Sequence, residues 1–146
     1  MKTISRSILL IALIALLFMS ACGGAAIKTT PLSADEASQV QALADPLAEN
    51  ILTSLVKDDF ALYTKNFDDV MLKVSTQSSF DSMVSGLNKQ LGAYQSRMPG
   101  KTYLIEQSGQ KYYLIIYPLK WEKGSLALQL SLHFEAPHKI AGLYFK

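Results

Sequence analysis

The sequence predicts an α+β domain, in which helices from the first half of the chain pack on one face of a four-stranded antiparallel sheet from the second half. Two observations carry this prediction. Between residues 34 and 91 the apolar side chains recur at intervals of three and four, and from residue 101 onward they recur at every second position. Connections between successive strands are short, which favours a meander order.

The N-terminal segment resembles a bacterial or archaeal lipoprotein signal peptide. Lys2 and Arg6 precede an apolar run over residues 8–18, and Met19-Ser20-Ala21-Cys22 resembles a lipobox, in which leucine usually stands in place of the methionine. The run is about a dozen residues, whereas a transmembrane helix needs about 20. We therefore expect residues 1–21 to be removed and the protein to be extracytoplasmic, lipid-anchored to the cell membrane or outer membrane.

Cys22 is the only cysteine in the chain, so no internal disulfide can form. Its position directly after two small residues favours lipidation, and the alternative is an ordinary secretory signal followed by an incidental cysteine. Residues 22–33 contain few large side chains and are expected to form a flexible tether. Residues 34–146 are then a single α+β domain.

The net charge argues against nucleic acid as a partner. Lys2 and Arg6 are two of the 14 basic residues, so their removal leaves 12 basic residues against 12 acidic ones. Recognition of nucleic acid normally needs a clustered basic face, and the sequence contains no such cluster.

The first helix is predicted over residues 34–57. Ser33 and Glu36 fit a capping box, in which each side chain binds a free backbone N–H at the helix start. Asp45 and Pro46 offer a second start, because proline lacks the N–H that is unused at the first helical position. The segment is therefore either one kinked helix or two successive helices.

Two further helices are predicted. Asp58 and Asp59 can cap a short helix over residues 60–66, and residues 67–71 lead out of it. The clearest helix begins near residue 78 and ends at Gly92, which suits a left-handed stop. Its apolar face consists of Phe80, Met83, Val84, Leu87 and Leu91.

Four strands are predicted, over residues 102–107, 111–121, 125–135 and 139–145, with turn residues between them. The third strand alternates most regularly. We expect its leucines and Phe134 to share one face that the helices cover. The other face carries Ala127, Gln129, Ser131, His133 and Glu135.

Several of these segments resemble domain of unknown function 3887. The segments are Lys57-Asp58-Asp59-Phe60, Phe67-Asp68-Asp69-Val70-Met71, residues 87–94 and the closing residues 139–145, and the resemblance covers roughly residues 45–146. That family is similar to the nuclear transport factor 2-like superfamily, which implies a cone formed by helices and a curved sheet. Such domains occur in exported lipoproteins and beside hydrolase domains, without an agreed activity. The resemblance therefore carries no catalytic residue to this chain.

The second predicted strand is apolar on both faces, which makes it a candidate binding surface. Tyr113, Tyr117 and Trp121 lie on one face, and residues 112, 114 and 116 form the other. Such a strand is either central and covered on both sides or part of an exposed apolar patch, and exposed patches mark interfaces or ligand grooves. The partner would be a second copy in a homodimer, another envelope protein or a small ligand.

His133 and Glu135 are the only candidate catalytic pair, as a base and the residue that orients it. The alternative is that both lie on a solvated strand face. Acidic pairs such as Asp68 and Asp69 are better explained as helix caps than as paired catalytic carboxylates, because the helix dipole stabilises acidic residues at helix starts. His138 adds only a second histidine, so no metal site is expected, and no cofactor is expected either.

The sequence thus favours a lipid-anchored cell-envelope domain that binds a small ligand or a protein partner without catalysis. The alternative is an enzyme with an acid/base site inside the cone. A polar pair in a deep pocket would favour the enzyme, and the same pair facing bulk water would favour binding.

Overall fold

The computed structural model describes residues 27–146. The predicted signal segment 1–21 and the lipidation site at Cys22 lie outside these residues. In chain order the described residues form β1 (Lys28–Pro31), α1 (Ala34–Lys57), α2 (Phe60–Thr64), α3 (Asp69–Val74), α4 (Gln77–Leu91), β2 (Tyr94–Arg97), β3 (Lys101–Gln107), β4 (Gln110–Trp121), β5 (Gly124–His133) and β6 (Ile140–Phe145).

The helix α1 is one continuous helix of 24 residues rather than two. The predicted capping box is present, because Ser33 Oγ accepts from the Glu36 N–H and the Glu36 carboxylate accepts from the Ser33 N–H at 3.0 Å. Pro46 lies inside the helix and removes one N–H. Ala42, whose carbonyl loses that partner, is exposed and can bond to water. The helix ends at Asp58, which adopts a left-handed φ of 55°.

Aspartates begin the next two helices, as the capping interpretation expects. Asp59 caps α2 by accepting from the Leu62 N–H at 2.9 Å, and Asp68 caps α3 by accepting from the Met71 N–H at 2.8 Å. The short helix α2 ends at Thr64, two residues before the predicted end. The pattern does not predict α3 as a helix, because its six residues are too few to show a period.

The predicted helix before Gly92 is α4. Thr76 caps it by accepting from the Ser79 N–H at 3.2 Å. Gly92 ends it with a φ of 74°, a conformation that residues with a side chain rarely adopt. Phe80 and Val84 on its apolar face are buried. Among the helices of residues 27–146, none is both long enough and apolar enough to cross a membrane.

The sheet has six strands rather than the predicted four, in the order β1-β3-β4-β5-β6 with β2 paired to β4. All of these strand pairs are antiparallel. The strand β1 occupies Lys28–Pro31, which were expected to belong to the tether. Its four residues are all exposed, so backbone pairing along the edge of β3 fixes it rather than burial. With four residues, β2 is too short to show an alternation. The third predicted strand ends at His133, two residues early.

The two faces of the sheet differ in what lies on them. Side chains such as Ile115, Tyr117 and Leu130 lie on what we call the covered face, and none of these three is exposed at all. They pack with the helices into one core, so the helices cover the leucine face of β5, as predicted. The helical part of this core consists of Val40, Ala44, Ala48, Ile51, Leu52, Leu55, Tyr63, Phe80 and Val84.

Candidate functional site

The residues between α2 and α3 are fixed against the start of β6. Phe67 is buried in the core and forms an isolated bridge with Ile140. The Asp68 N–H donates to the Ile140 carbonyl at 2.9 Å, and the Ile140 N–H donates to the Asn66 carbonyl at 2.9 Å. Because the backbone is held on both sides, the side chain of Asp68 has a defined position beside the end of the sheet.

The Asp68 carboxylate caps α3 and also contacts a histidine. Its Oδ1 accepts from the Met71 N–H, and its Oδ2 lies 2.8 Å from His133 Nε2. Burial by itself would raise the pKa of the Asp68 carboxyl, but the hydrogen bonds from Met71 and His133 and the attraction of a charged His133 ring together lower that pKa. The carboxylate is therefore the form that the folded protein stabilises.

His133 stands at the last position of β5, with its ring partly exposed. A carboxylate only accepts hydrogen bonds, so Nε2 carries the hydrogen and Nδ1 remains for another partner. The ring of Tyr112 on the neighbouring strand lies 5.4 Å away between centroids. The His133 side chain is 39% exposed and that of Asp68 is 14% exposed, so the histidine is the more accessible member of the pair.

An open cleft of about 430 Å³ adjoins this pair. Charged side chains of both signs border it, and Lys139 Nζ lies 4.0 Å from Asp69 Oδ1 at the edge of contact. Carboxylates outnumber ammonium groups in the wall. The cleft is lined by Asp68, Asp69, Val70, His133, Glu135, Ala136, Pro137 and Lys139.

The predicted pair of His133 and Glu135 does not form. The strand ends at His133, so Glu135 lies in the following turn, exposed, and the partner of the histidine is Asp68. The capping role predicted for Asp68 is present, but the sequence gives no signal for its second contact, because the two residues are 65 positions apart. His138, the other histidine, donates from Nδ1 to the His133 carbonyl at 3.1 Å and so supports the turn.

The aromatic residues proposed as a binding surface lie on the covered face instead. Tyr117 is fully buried, and its hydroxyl donates to Asp45 Oδ1 at 2.9 Å. Trp121 is 2% exposed. Tyr113 is half-buried and packs on Phe134, with 5.1 Å between the ring centroids. Because β4 is a central strand under the helices, these three residues do not form an open surface.

Metal ligation finds no support in the part of the chain that the structure describes. Within residues 27–146, no three His, Cys, Asp or Glu side chains are placed where they could hold one ion.

Comparison with known proteins places the domain in a family. The model of the family described as "Protein of unknown function (DUF3887)" matches residues 48–143. A protein from Ruminococcus gnavus ATCC 29149, solved by NMR, is 18% identical; the match covers 80% of this chain and 98% of that chain, with a TM-score of 0.56. At this identity the similarity shows the fold alone. No curated protein matches the chain.

Proposed function

The chain belongs to the DUF3887 family of proteins of unknown function, and we propose that it is a binding domain whose ligand occupies the cleft beside Asp68 and His133. The observation that carries this proposal is the arrangement of the pair. Asp68 fixes the ring of His133 through Nε2, which leaves Nδ1 without this partner, and the partly exposed ring lines an open cleft. A histidine held in this way is preorganised to bind a polar group.

The volume and charge of the cleft indicate the class of ligand. A volume of about 430 Å³ lies within the range of small-molecule sites. The exposed carboxylates of Asp69 and Glu135 can accept hydrogen bonds from a cationic group, with only Lys139 as an opposing ammonium. A neutral imidazole Nδ1 also accepts a hydrogen bond. We therefore propose a small polar ligand that carries a protonated amine.

An enzyme is the second candidate, because an aspartate that orients a histidine is also a general-base arrangement. Two features favour binding. His133 reaches solvent through an open cleft rather than a deep pocket, and the described residues that line the cleft include no serine, threonine, cysteine or tyrosine that could serve as a nucleophile.

We propose further that the domain is lipid-anchored through Cys22, extracytoplasmic, and similar in shape to nuclear transport factor 2-like cones. The signal-like residues 1–21 support the anchor. Helices on one face of an antiparallel sheet support the superfamily assignment, as do the extra residues Gln95 in β2 and Ala141 in β6, because bulges bend strands. If Cys22 carries the lipid, Cys22→Ala should move the protein to the soluble fraction or leave it uncleaved. Unchanged mature protein that only detergent extracts would contradict the anchor.

The ligand site is tested with two histidine variants that make the same chemical change. We expect members of a panel of small amines and amino acids to raise the melting temperature of the wild-type protein and to shift the ring signals of His133 in NMR spectra. His133→Gln should abolish the thermal shift, and the control His138→Gln, outside the cleft, should keep it. Equal binding by His133→Gln, or a panel that leaves the His133 signals unmoved, would contradict the proposal. Turnover of a bound compound that His133→Gln abolishes would favour the enzyme.

A further inference from the structure

The face of the sheet opposite the helices, which we call the open face, is largely apolar. Cross-strand register puts a continuous set of large side chains on it, and the core that the helices form with the sheet includes none of them. Tyr144 is 62% exposed. A contiguous apolar surface that is partly open to solvent is a candidate interaction site. The set consists of Tyr144, which is exposed, Ile105, which is only 7% exposed, and the partly exposed Tyr103, Tyr112, Leu114, Ile116 and Pro118.

The Lys, Arg, Asp and Glu side chains that the strands place on the open face are all lysines. Lys101 is opposite Ile116, Lys120 is opposite Ser125, and the backbone of Lys146 pairs with Ala127 in both directions, at 2.7 and 3.0 Å. These three lysines lie at one end of the face, and all are exposed. Within the strands of residues 27–146, no aspartate or glutamate shares this face. The face is thus apolar and aromatic in the middle and basic at one end.

The chain enters the sheet at the opposite end. β1 begins at Lys28, which pairs with Glu106, and Thr29 lies on the open face in the same row as Ile105 and Tyr112. Along β4, Tyr112 lies six residues, or about 20 Å, from Pro118. Pro118 is in line with Ala127 and Lys146 on the neighbouring strands. Six steps of chain separate Cys22 from Lys28, which at full extension span about 20 Å. A lipid on Cys22 would hold this end of the sheet close to the bilayer.

We infer that the open face rests on an anionic membrane surface, an inference that rests on the lipid anchor proposed above. The anchor would attach one end of the face, and the three lysines at the other end would contact anionic headgroups. Tyrosine side chains suit the boundary between headgroups and acyl chains, where one end of the ring is apolar and the other is wet. The face would therefore lie flat on the membrane.

Charge favours a membrane over a second copy of the chain. In a twofold dimer through this face, the open face of one copy packs against the same open face of the other copy. Such a pairing offers no strand carboxylate to the lysines Lys101, Lys120 and Lys146, because this face carries none. Anionic lipid headgroups supply the missing negative charge.

Vesicle binding without the lipid separates this inference from the anchor. The experiment uses the chain from residue 22 onward with Cys22→Ser, which retains every element that the structure describes. We expect it to float with vesicles that contain phosphatidylglycerol and much less with phosphatidylcholine alone. Lys101→Gln with Lys120→Gln should weaken partitioning on the order of five-fold per lysine. The control pair Lys57→Gln and Lys89→Gln, exposed on the helices, should bind as the parent does.

The orientation is tested with one fluorescent label. Cys22→Ser leaves no other thiol, so Tyr144→Cys can carry a polarity-sensitive dye on the open face, and Ser78→Cys carries it on α4 as the control. On anionic vesicles the dye at position 144 should shift to the blue and be quenched by lipid-borne quenchers, and the dye at position 78 should not. A dye at 144 that stays aqueous on vesicles overturns the inference. So does a blue shift that needs no lipid and grows with protein concentration, which would indicate a second copy.

The two proposals fail in different ways. If wild-type protein partitions into detergent through Cys22 but the Cys22→Ser chain does not bind anionic vesicles, the anchor stands and the open face does not contact lipid. If the Cys22→Ser chain binds vesicles and the wild-type protein carries no lipid, the open face binds the membrane without the anchor.

Discussion

The network around Tyr117 gives a sharp test of how the helices are joined to the sheet. Its buried hydroxyl donates to Asp45 Oδ1 at 2.9 Å, and Arg97 Nη1 donates to the same oxygen at 2.9 Å. The guanidinium carbon of Arg97 lies 4.6 Å from the centre of the Tyr117 ring. One tyrosine therefore joins β4 to α1, and Arg97 of the short edge strand β2 completes the contact.

Tyr117→Phe removes the hydroxyl and keeps the ring. A hydrogen bond to a charged group contributes about 1.5–3 kcal/mol to stability. The Asp45 side chain is 42% exposed, so water can replace part of that bond, and we expect a loss of about 1–2 kcal/mol. For a domain of this size the melting temperature should fall by about 3–8 °C. The control is Tyr144→Phe on the exposed open face, which should change the stability by less than about 0.5 kcal/mol.

The pH dependence of the same variant checks the cause. Burial, and next the hydrogen bond and charge of Asp45, raise the pKa of Tyr117 far above its ordinary value of 10.0. The unfolded chain would lose this proton above pH 10 while the folded chain keeps it, so the contribution is full below that pH and falls as the pH rises further. The stability difference between wild type and Tyr117→Phe should therefore shrink above about pH 10. A variant that melts within about 1 °C of wild type would refute the reasoning.

Three further variants test packing and the site by thermal unfolding. Gly100→Ala would put a Cβ 2.7 Å from the buried Tyr117 ring and should destabilise the fold by about 1–3 kcal/mol. At Gly86 in α4 a new Cβ meets nothing within 4 Å, so Gly86→Ala should stabilise the fold by about 0.5–1 kcal/mol. Leu130→Ala should cost about 2–5 kcal/mol through lost burial and a cavity, and a melting temperature within about 2 °C of wild type would contradict its core position. Asp68→Asn keeps a capping side chain but cannot ionise. Because the folded pKa of Asp68 lies below its ordinary 3.8, the stability deficit of the variant should shrink as acid protonates the wild-type carboxyl. A deficit that stays the same in acid would contradict this.

Hydrophobic periodicity was enough to predict the long elements. The alternation in β5 predicts its covered face correctly, because a half-buried strand exposes every second residue to water, and Leu128, Leu130 and Leu132 are fully buried. Local capping chemistry also predicts the starts of α1 and α2, because Ser33 and Asp59 bond to residues within one turn.

The two missed strands depend on partners far along the chain. Neither Lys28–Pro31 nor Tyr94–Arg97 contains enough residues for a pattern, and each is fixed by a strand that follows it, β3 and β4. Arg97 adds an ion pair to Asp45 across 52 positions. The candidate site is missed for the same reason, since Asp68 and His133 are 65 positions apart in the chain.

The position of the cleft links the two proposals. His133 of β5 lies opposite Tyr112 of β4, and Ile105 of β3 and Thr29 of β1 continue the same line across the sheet. Three strand spacings, or about 14 Å, therefore separate the cleft from β1, the strand that leads to Cys22. A ligand would then bind near the membrane at the anchored end. An anionic surface potential of about −30 mV concentrates a monovalent cation at most about three-fold and depletes an anion by the same factor.

Ligand affinity on vesicles therefore reports the charge of the ligand. The lipidated protein on phosphatidylglycerol vesicles should bind an amine ligand up to about three-fold more tightly than the Cys22→Ser chain binds it in solution, and added salt should remove the difference. A gain that persists in high salt would mean that the membrane reshapes the cleft rather than enriching the ligand. A loss of affinity on anionic vesicles would show that the ligand is an anion and would overturn the assignment of Asp69 and Glu135 as its partners.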